Sequence, residues 1–188
     1  MKATYLKEMF SNVEEKNSLA IINQKQFHDS IEYSIKKVLE KKPLILVSMT
    51  RSAKDVLESI PEKKENVFVI DIFSREASSA NKELNIIHIN NPANLTKLQI
   101  TVDKALKKFP NATILFDSLG VLSVYSDERL FQKFIYLFNN KMNLLDGTVL
   151  FFAVKGSMGE KVLSTVKQFC DRTYNFSELY IESVELAH

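Results

Sequence analysis

Residues Ala112 to Leu122 read ATILFDSLGVL. Apolar or β-branched residues run up to Asp117, Ser118 follows, and a second apolar patch begins. A strand with one face in water alternates apolar and polar residues. This one does not, so it suits a strand buried on both faces, at the centre of a parallel sheet covered by helices. The runs LILVS (44–48), VFVID (67–71) and TVLFFAV (148–154) have the same character, and SLAII (18–22) is a shorter version. IIHI (86–89) adds a further short strand.

Between these runs the apolar period changes to that of a helix. Phe27, Ile31, Ile35, Val38 and Leu39 form one stripe, with Glu32, Lys36, Lys37 and Glu40 facing away. Ala53, Val56, Leu57 and Ile60 give a short helix ended by Pro61. Leu95, Leu98, Val102, Ala105, Leu106 and Phe109 give a longer one ended at Pro110-Asn111. Leu130, Phe131, Phe134, Ile135, Leu137, Phe138 and Met142 make the broadest apolar face, with Ser126 as the expected N-cap. Val162, Leu163, Val166, Phe169 and Cys170 mark the last helix. Strands alternating with helices imply an α/β three-layer sandwich, a mostly parallel sheet with helices on both faces. RTYNF (172–176) and LYIESVEL (179–186) are expected to close it as an antiparallel pair, and 74–85 reads as a polar loop.

At 188 residues, with 45% apolar residues, the chain reads as one domain over 1–188, with 1–17 a helical or loop extension. Net charge is +2, so the total argues for no polyanionic partner. No apolar run approaches the ~20 residues of a membrane span. The first residues, MKATYLKEMFSNVEEK, lack the apolar core of a signal peptide, so a cytoplasmic location is expected. A single cysteine, Cys170, rules out an internal disulfide. On the apolar side of its helix it reads as packing.

A carboxylate at the carboxyl end of a buried parallel strand stands where open α/β sheets bind ligands. In nucleotide-binding proteins of the P-loop type, an Asp there helps to hold Mg²⁺. Such a site also needs the loop G-x-x-x-x-G-K-[ST] after an earlier strand, where glycines let backbone N–H groups approach phosphate. The four glycines are Gly120, Gly147, Gly156 and Gly159, so none precedes the strand of Asp117. Two degenerate frames can be laid on the chain. Asn23 to Ser30 (NQKQFHDS) keeps only Ser30 and puts Asp29 in place of the lysine. Ser48 to Asp55 (SMTRSAKD) keeps Lys54 and puts Asp55 in the hydroxyl position. The first frame is preferred, because it leaves the expected run of elements before Asp117. LILVSMTRSAK has no Asp or Glu to activate water, so no catalytic residue is assigned.

The other chemistry-bearing residues form no constellation. His28, His88 and His188 lack metal-ligand spacing, so no metal site is expected. GSMG (156–159) reads as a turn. The lysines at 36, 37, 41, 42, 104, 107 and 108 read as solvated helix faces not interleaved with aromatics, leaving nucleic acid a weak alternative.

The stretch from Asn111 to Phe176 resembles the RecA-like branch of P-loop proteins, and within it the KaiC/RadA-like group common in archaea. The residues carrying the likeness are the strand ending Asp117-Ser118-Leu119 and the Phe- and Leu-rich helix after it. Asp146-Gly147 before a strand and Gln168-Phe169-Cys170-Asp171-Arg172 before another complete it. The resemblance implies a RecA-like fold. It places Asp117, with Ser118, at the Walker B position and Ser30 at the Mg²⁺-side hydroxyl of Walker A, a degenerate nucleotide site. With the loop glycines, the lysine and the general base missing, the expected role is a non-catalytic regulatory or protein-interaction module without cofactor. Its expected partner is a second copy or a RecA/KaiC-like paralogue. The alternatives are an atypical ATP-binding protein or ATPase, with ATP and Mg²⁺ as cofactors, and a nucleic-acid-binding recombinase paralogue.

Overall fold

The computed structural model describes residues 17–74 and 85–177. Its strands are β1 (Ser18–Ile22), β2 (Leu44–Ser48), β3 (Val67–Asp71), β4 (Ile86–His88), β5 (Thr113–Phe116), β6 (Thr148–Val154) and β7 (Arg172–Asn175). The helices are α1 (Phe27–Leu39), α2 (Ala53–Glu58), α3 (Leu95–Lys108), α4 (Leu119–Tyr125), α5 (Glu128–Leu144) and α6 (Glu160–Phe169). The seven strands form one sheet in the order β4-β3-β2-β5-β6-β1-β7, and every pairing is parallel.

The continuous apolar runs have the expected cause. Along β2, Ile45 and Val47 point into one core while Leu44 and Leu46 point into the other. In β6, Phe151 and Phe152 divide in the same way. The Ile45/Val47 face is covered by α3, α4, α5 and α6, the Leu44/Leu46 face by α1 and α2. Phe116 of β5 packs edge-on against Phe138 of α5, ring centroids 5.3 Å apart, and against Phe151 at 5.1 Å. The five inner strands, β1, β2, β3, β5 and β6, are therefore apolar on both sides because each belongs to two cores.

Two local expectations change. RTYNF pairs with β1 in parallel, Ser18 opposite Arg172, and the antiparallel partner expected for its other edge is LYIESVEL. LYIESVEL lies outside the described residues, as do the proposed helix in 1–17 (save Asn17) and most of the 74–85 loop. The apolar patch after Asp117 is a helix, α4, which the sequence reading left unassigned. Ser126 ends that helix, and Asp127 caps α5 instead, its Oδ1 accepting the Arg129 and Leu130 amides at 2.9 and 3.2 Å. A carboxylate outperforms a hydroxyl there because it also meets the positive end of the helix dipole. Among the described residues no helix is long and apolar enough to cross a membrane.

Candidate functional site

The chain leaves β2 towards one face and β5 towards the other, so the carboxyl ends of these neighbouring strands bracket a crevice. Asp117, the residue after β5, fills it. Its carboxylate is fully buried. Oδ1 accepts the Met49 amide at 2.6 Å, and Oδ2 accepts the hydroxyls of Ser48 and Thr50, each at 3.1 Å. Burial pushes the Asp117 carboxyl up to about 7, against the pull of these three hydrogen bonds and of the nearby Arg51 charge.

Asp71 does the same from the other side. It ends β3, and its buried Oδ2 accepts the Ala53 amide at the start of α2, at 2.8 Å. It also takes the Ser74 amide on Oδ1 and the Ser74 hydroxyl on Oδ2, both at 2.8 Å, with His88 Nδ1 3.5 Å away. The loop Met49–Ser52 after β2 is thus held by two strand-end carboxylates, one from each flanking strand. This occupies the Ser48–Asp55 frame. Lys54 points to solvent, its side chain 83% exposed, and approaches Glu58 at 3.9 Å. Sequence reading missed the role of Asp71; its matching position at the end of an equally apolar strand was the available signal.

The Asn23–Ser30 frame is closed in a different way. Asn23 Oδ1 accepts the Lys25 amide at 3.0 Å, and the Gln26 amide donates to the Asn23 carbonyl at 3.0 Å. Backbone donors that a phosphate would need are therefore used by the loop itself, which forms a 3₁₀ turn (Gln24–Gln26) running into α1. Ser30 is fully buried in α1, where its carbonyl accepts the Ser34 hydroxyl at 2.6 Å.

A cavity of about 540 Å³ does lie at the carboxyl ends of β1, β5 and β6. Gln24, His28, Thr50, Ser118, Lys155 and Ser157 supply its polar lining. Ser118 reaches it while capping α4 through the Gly120 amide, at 3.2 Å. Asp117 and Ser30 do not reach it, so only Ser118 of the three expected site residues is in the wall. No Asp or Glu lines this cavity among the described residues, and no cluster of three metal-ligating side chains occurs among them. The donor set suits hydrogen bonding and anion contact rather than metal coordination. Cys170 is spent on packing: burial pushes its thiol up to about 12. Of the lysines, Lys36 and Lys37 pair with Glu32 and Glu40 at 2.6 and 2.7 Å, which neutralises part of that basic face.

Comparison with known proteins agrees with this architecture. A KaiC-like protein from the hyperthermophilic archaeon Pyrococcus horikoshii superposes with a TM-score of 0.57 at 12% identity, covering 81% of this chain and 68% of that one. The flagellar accessory protein FlaH from Methanocaldococcus jannaschii gives 0.56 at 12% identity, covering 93% and 77%. At such identity the likeness is one of fold, and the fold is RecA/KaiC-like. No curated protein matches the sequence significantly. The sequence matches the DUF7504 family, a family of unknown function, over residues 39–175, and the chain belongs to that family.

Proposed function

We propose that this chain is a non-catalytic RecA/KaiC-like module of the cytoplasm that acts in regulation through protein contacts. The observation that carries the reading is the fate of Asp117. At the strand end where a metal-holding carboxylate would face a nucleotide, it is buried and turned onto Ser48, Met49 and Thr50. The self-capped Asn23 loop and the absence of a carboxylate from the described cavity wall support the same conclusion. Calorimetric titration with ATP and ADP in the presence of Mg²⁺ is expected to give no heat of binding. A Kd in the low micromolar range overturns the reading.

A second reading, an atypical nucleotide-binding protein, draws on the cavity itself. Its volume is within the usual range for small-ligand sites, and the Ser157 hydroxyl beside it is buried with no partner among the described residues. Lys155 could supply the charge an anion needs. If the titration does show binding, Lys155→Ala is expected to abolish it, and unchanged affinity in that variant removes this reading as well.

A further inference from the structure

The wall of the cavity at the carboxyl ends of β1, β5 and β6 holds two hydroxyl groups with nothing to donate to. Ser157 Oγ is buried and makes no hydrogen bond to any described residue. Ser118 Oγ accepts the Gly120 amide at 3.2 Å, and its own proton has no acceptor among the described residues. Buried polar atoms without partners are costly and rare in folded chains, so each one asks for an explanation. Gly120 brings the two together. A Cβ there would stand 2.3 Å from Ser157 Oγ and 3.4 Å from Ser118 Oγ, so both hydroxyls flank the space that the missing side chain leaves. Ser157 Oγ is turned onto that glycine, where no bond holds it. Rotation to another staggered position takes it away from the glycine, in a residue that lines the cavity.

Idle donors call for an acceptor, and the rest of the wall says of what kind. No Asp or Glu is among the described lining residues, and Lys155 stands exposed at the rim. The wall therefore favours an anion and offers a metal ion no carboxylate. Its capacity for charge is small. One lysine balances one negative charge, whereas a phosphate monoester carries about two at neutral pH and would keep the second partly desolvated without a partner. The remaining wall is apolar, from Phe27 of α1, Val121 and Val124 of α4, and Val154 of β6. At about 540 Å³ the cavity has room for more than the anionic group, and such a wall suits a hydrocarbon or aromatic body.

We infer that this cavity binds a small organic monocarboxylate without a metal ion, the carboxylate taken by Ser118, Ser157 and Lys155 and the apolar body resting against α4. The inference goes beyond the regulatory reading proposed above, and the two fail separately. ATP binding in the calorimeter overturns that reading, whereas absence of carboxylate binding overturns only this one.

The test is a titration of the full isotope-labelled chain with benzoate, followed through its backbone amide resonances. Benzoate is expected to bind with a Kd of about 1 mM or lower and to move the amides of Ser118, Val121, Gly156 and Ser157. Benzyl alcohol, which keeps the ring and lacks the charge, is expected to bind about tenfold more weakly, and phenyl phosphate no more tightly than benzoate. Ser157→Ala is expected to weaken benzoate about tenfold with an unchanged or raised thermal midpoint, because the hydroxyl has no bond in the fold to lose. A purely structural serine would lower the midpoint and leave affinity alone. Lys155→Gln, at an exposed position, is expected to remove the weakening that added salt causes in the wild-type chain. The inference is overturned if benzoate in excess moves none of these four amides, or moves only residues of another surface. It is equally overturned by benzyl alcohol binding as tightly, by phenyl phosphate binding more tightly, by undiminished affinity in Ser157→Ala, or by a salt dependence that survives in Lys155→Gln.

Discussion

The Met49 amide donates to Asp117 Oδ1 at 2.6 Å, a bond that crosses from the turn after β2 to the end of β5. A carboxylate held this way is a structural tie, and its protonation is coupled to folding. Burial raises the Asp117 pKa from 3.8 to about 7 in the folded chain, so between those values the folded state holds a proton that the unfolded chain has released. The stability from this group is fully present below the unfolded value and is lost as pH rises through the folded one.

Asp117→Asn is therefore expected to flatten the pH dependence of the thermal midpoint between about pH 4 and 7. The amide keeps the geometry: its oxygen can accept from Met49, and its nitrogen can donate to the hydroxyl oxygens of Ser48 and Thr50. Asp117→Ala instead strands the buried Met49 amide and removes an acceptor from the Thr50 hydroxyl, while Ser48 keeps the Arg51 carbonyl, and is expected to cost about 2 kcal/mol. Melting curves of the three proteins across that pH range decide the matter. A wild-type midpoint that climbs steadily over the window contradicts the assignment.

Gly120 and Ser157 form a second tight relationship. A Cβ added at Gly120 would lie 2.3 Å from Ser157 Oγ and 2.6 Å from Ser157 Cβ. Gly120→Ala is thus expected to destabilise by about 1–3 kcal/mol despite its better helix propensity. Ser157→Gly in the same chain is expected to return most of that loss. Denaturant midpoints for the two single variants and the double variant measure it, and a double variant no more stable than Gly120→Ala alone refutes the contact as the cause.

Most of the strand and helix pattern could be read from the sequence because burial on both faces leaves a signal that few other arrangements produce. LILVS, VFVID and TVLFFAV are each apolar on both faces apart from one polar residue at an end, and each serves two cores. The helix after Asp117 was missed because LGVLSVY carries few polar residues to show a period, and its exposed Val124 and Tyr125 break the stripe. The site was only half legible. Missing glycines were enough to say that no ordinary phosphate loop exists. What Asp117 does instead depends on Ser48, Met49 and Thr50, which lie 67–69 residues away in the chain. No local pattern encodes that pairing. Leu130 and Leu137 fall in the apolar stripe of their helix yet are exposed, since periodicity reports a stripe without saying how wide a stripe the core can accept.

Cys170 is expected to be chemically silent in the folded protein. With its thiol pushed up to about 12, only roughly one molecule in ten thousand carries the thiolate at pH 8. Ellman's reagent is expected to react slowly with the native chain and to report one thiol promptly in guanidinium. Rapid stoichiometric reaction under native conditions would show that the thiol is not in this apolar setting.

The two strand-end carboxylates are expected to act on one another through the loop they share. Asp117 holds Met49 and Asp71 holds Ala53, so a single short loop is fastened at both ends. Once one fastening is cut, the loop is already free to move, and cutting the second removes less order than it would alone. Asp71→Ala by itself is expected to cost about 3 kcal/mol, because it leaves the Ala53 and Ser74 amides without their partner. The double variant Asp71→Ala, Asp117→Ala is then expected to fall short of the sum of the single losses by about 1 kcal/mol. Hydrogen exchange supplies the local counterpart. The Ala53 and Ser74 amides lose protection in Asp71→Ala and the Met49 amide in Asp117→Ala, with all three lost only in the double variant. Losses that add to within about 0.3 kcal/mol would mean that β2 insulates the two carboxylates from each other, and that the loop is two independent turns.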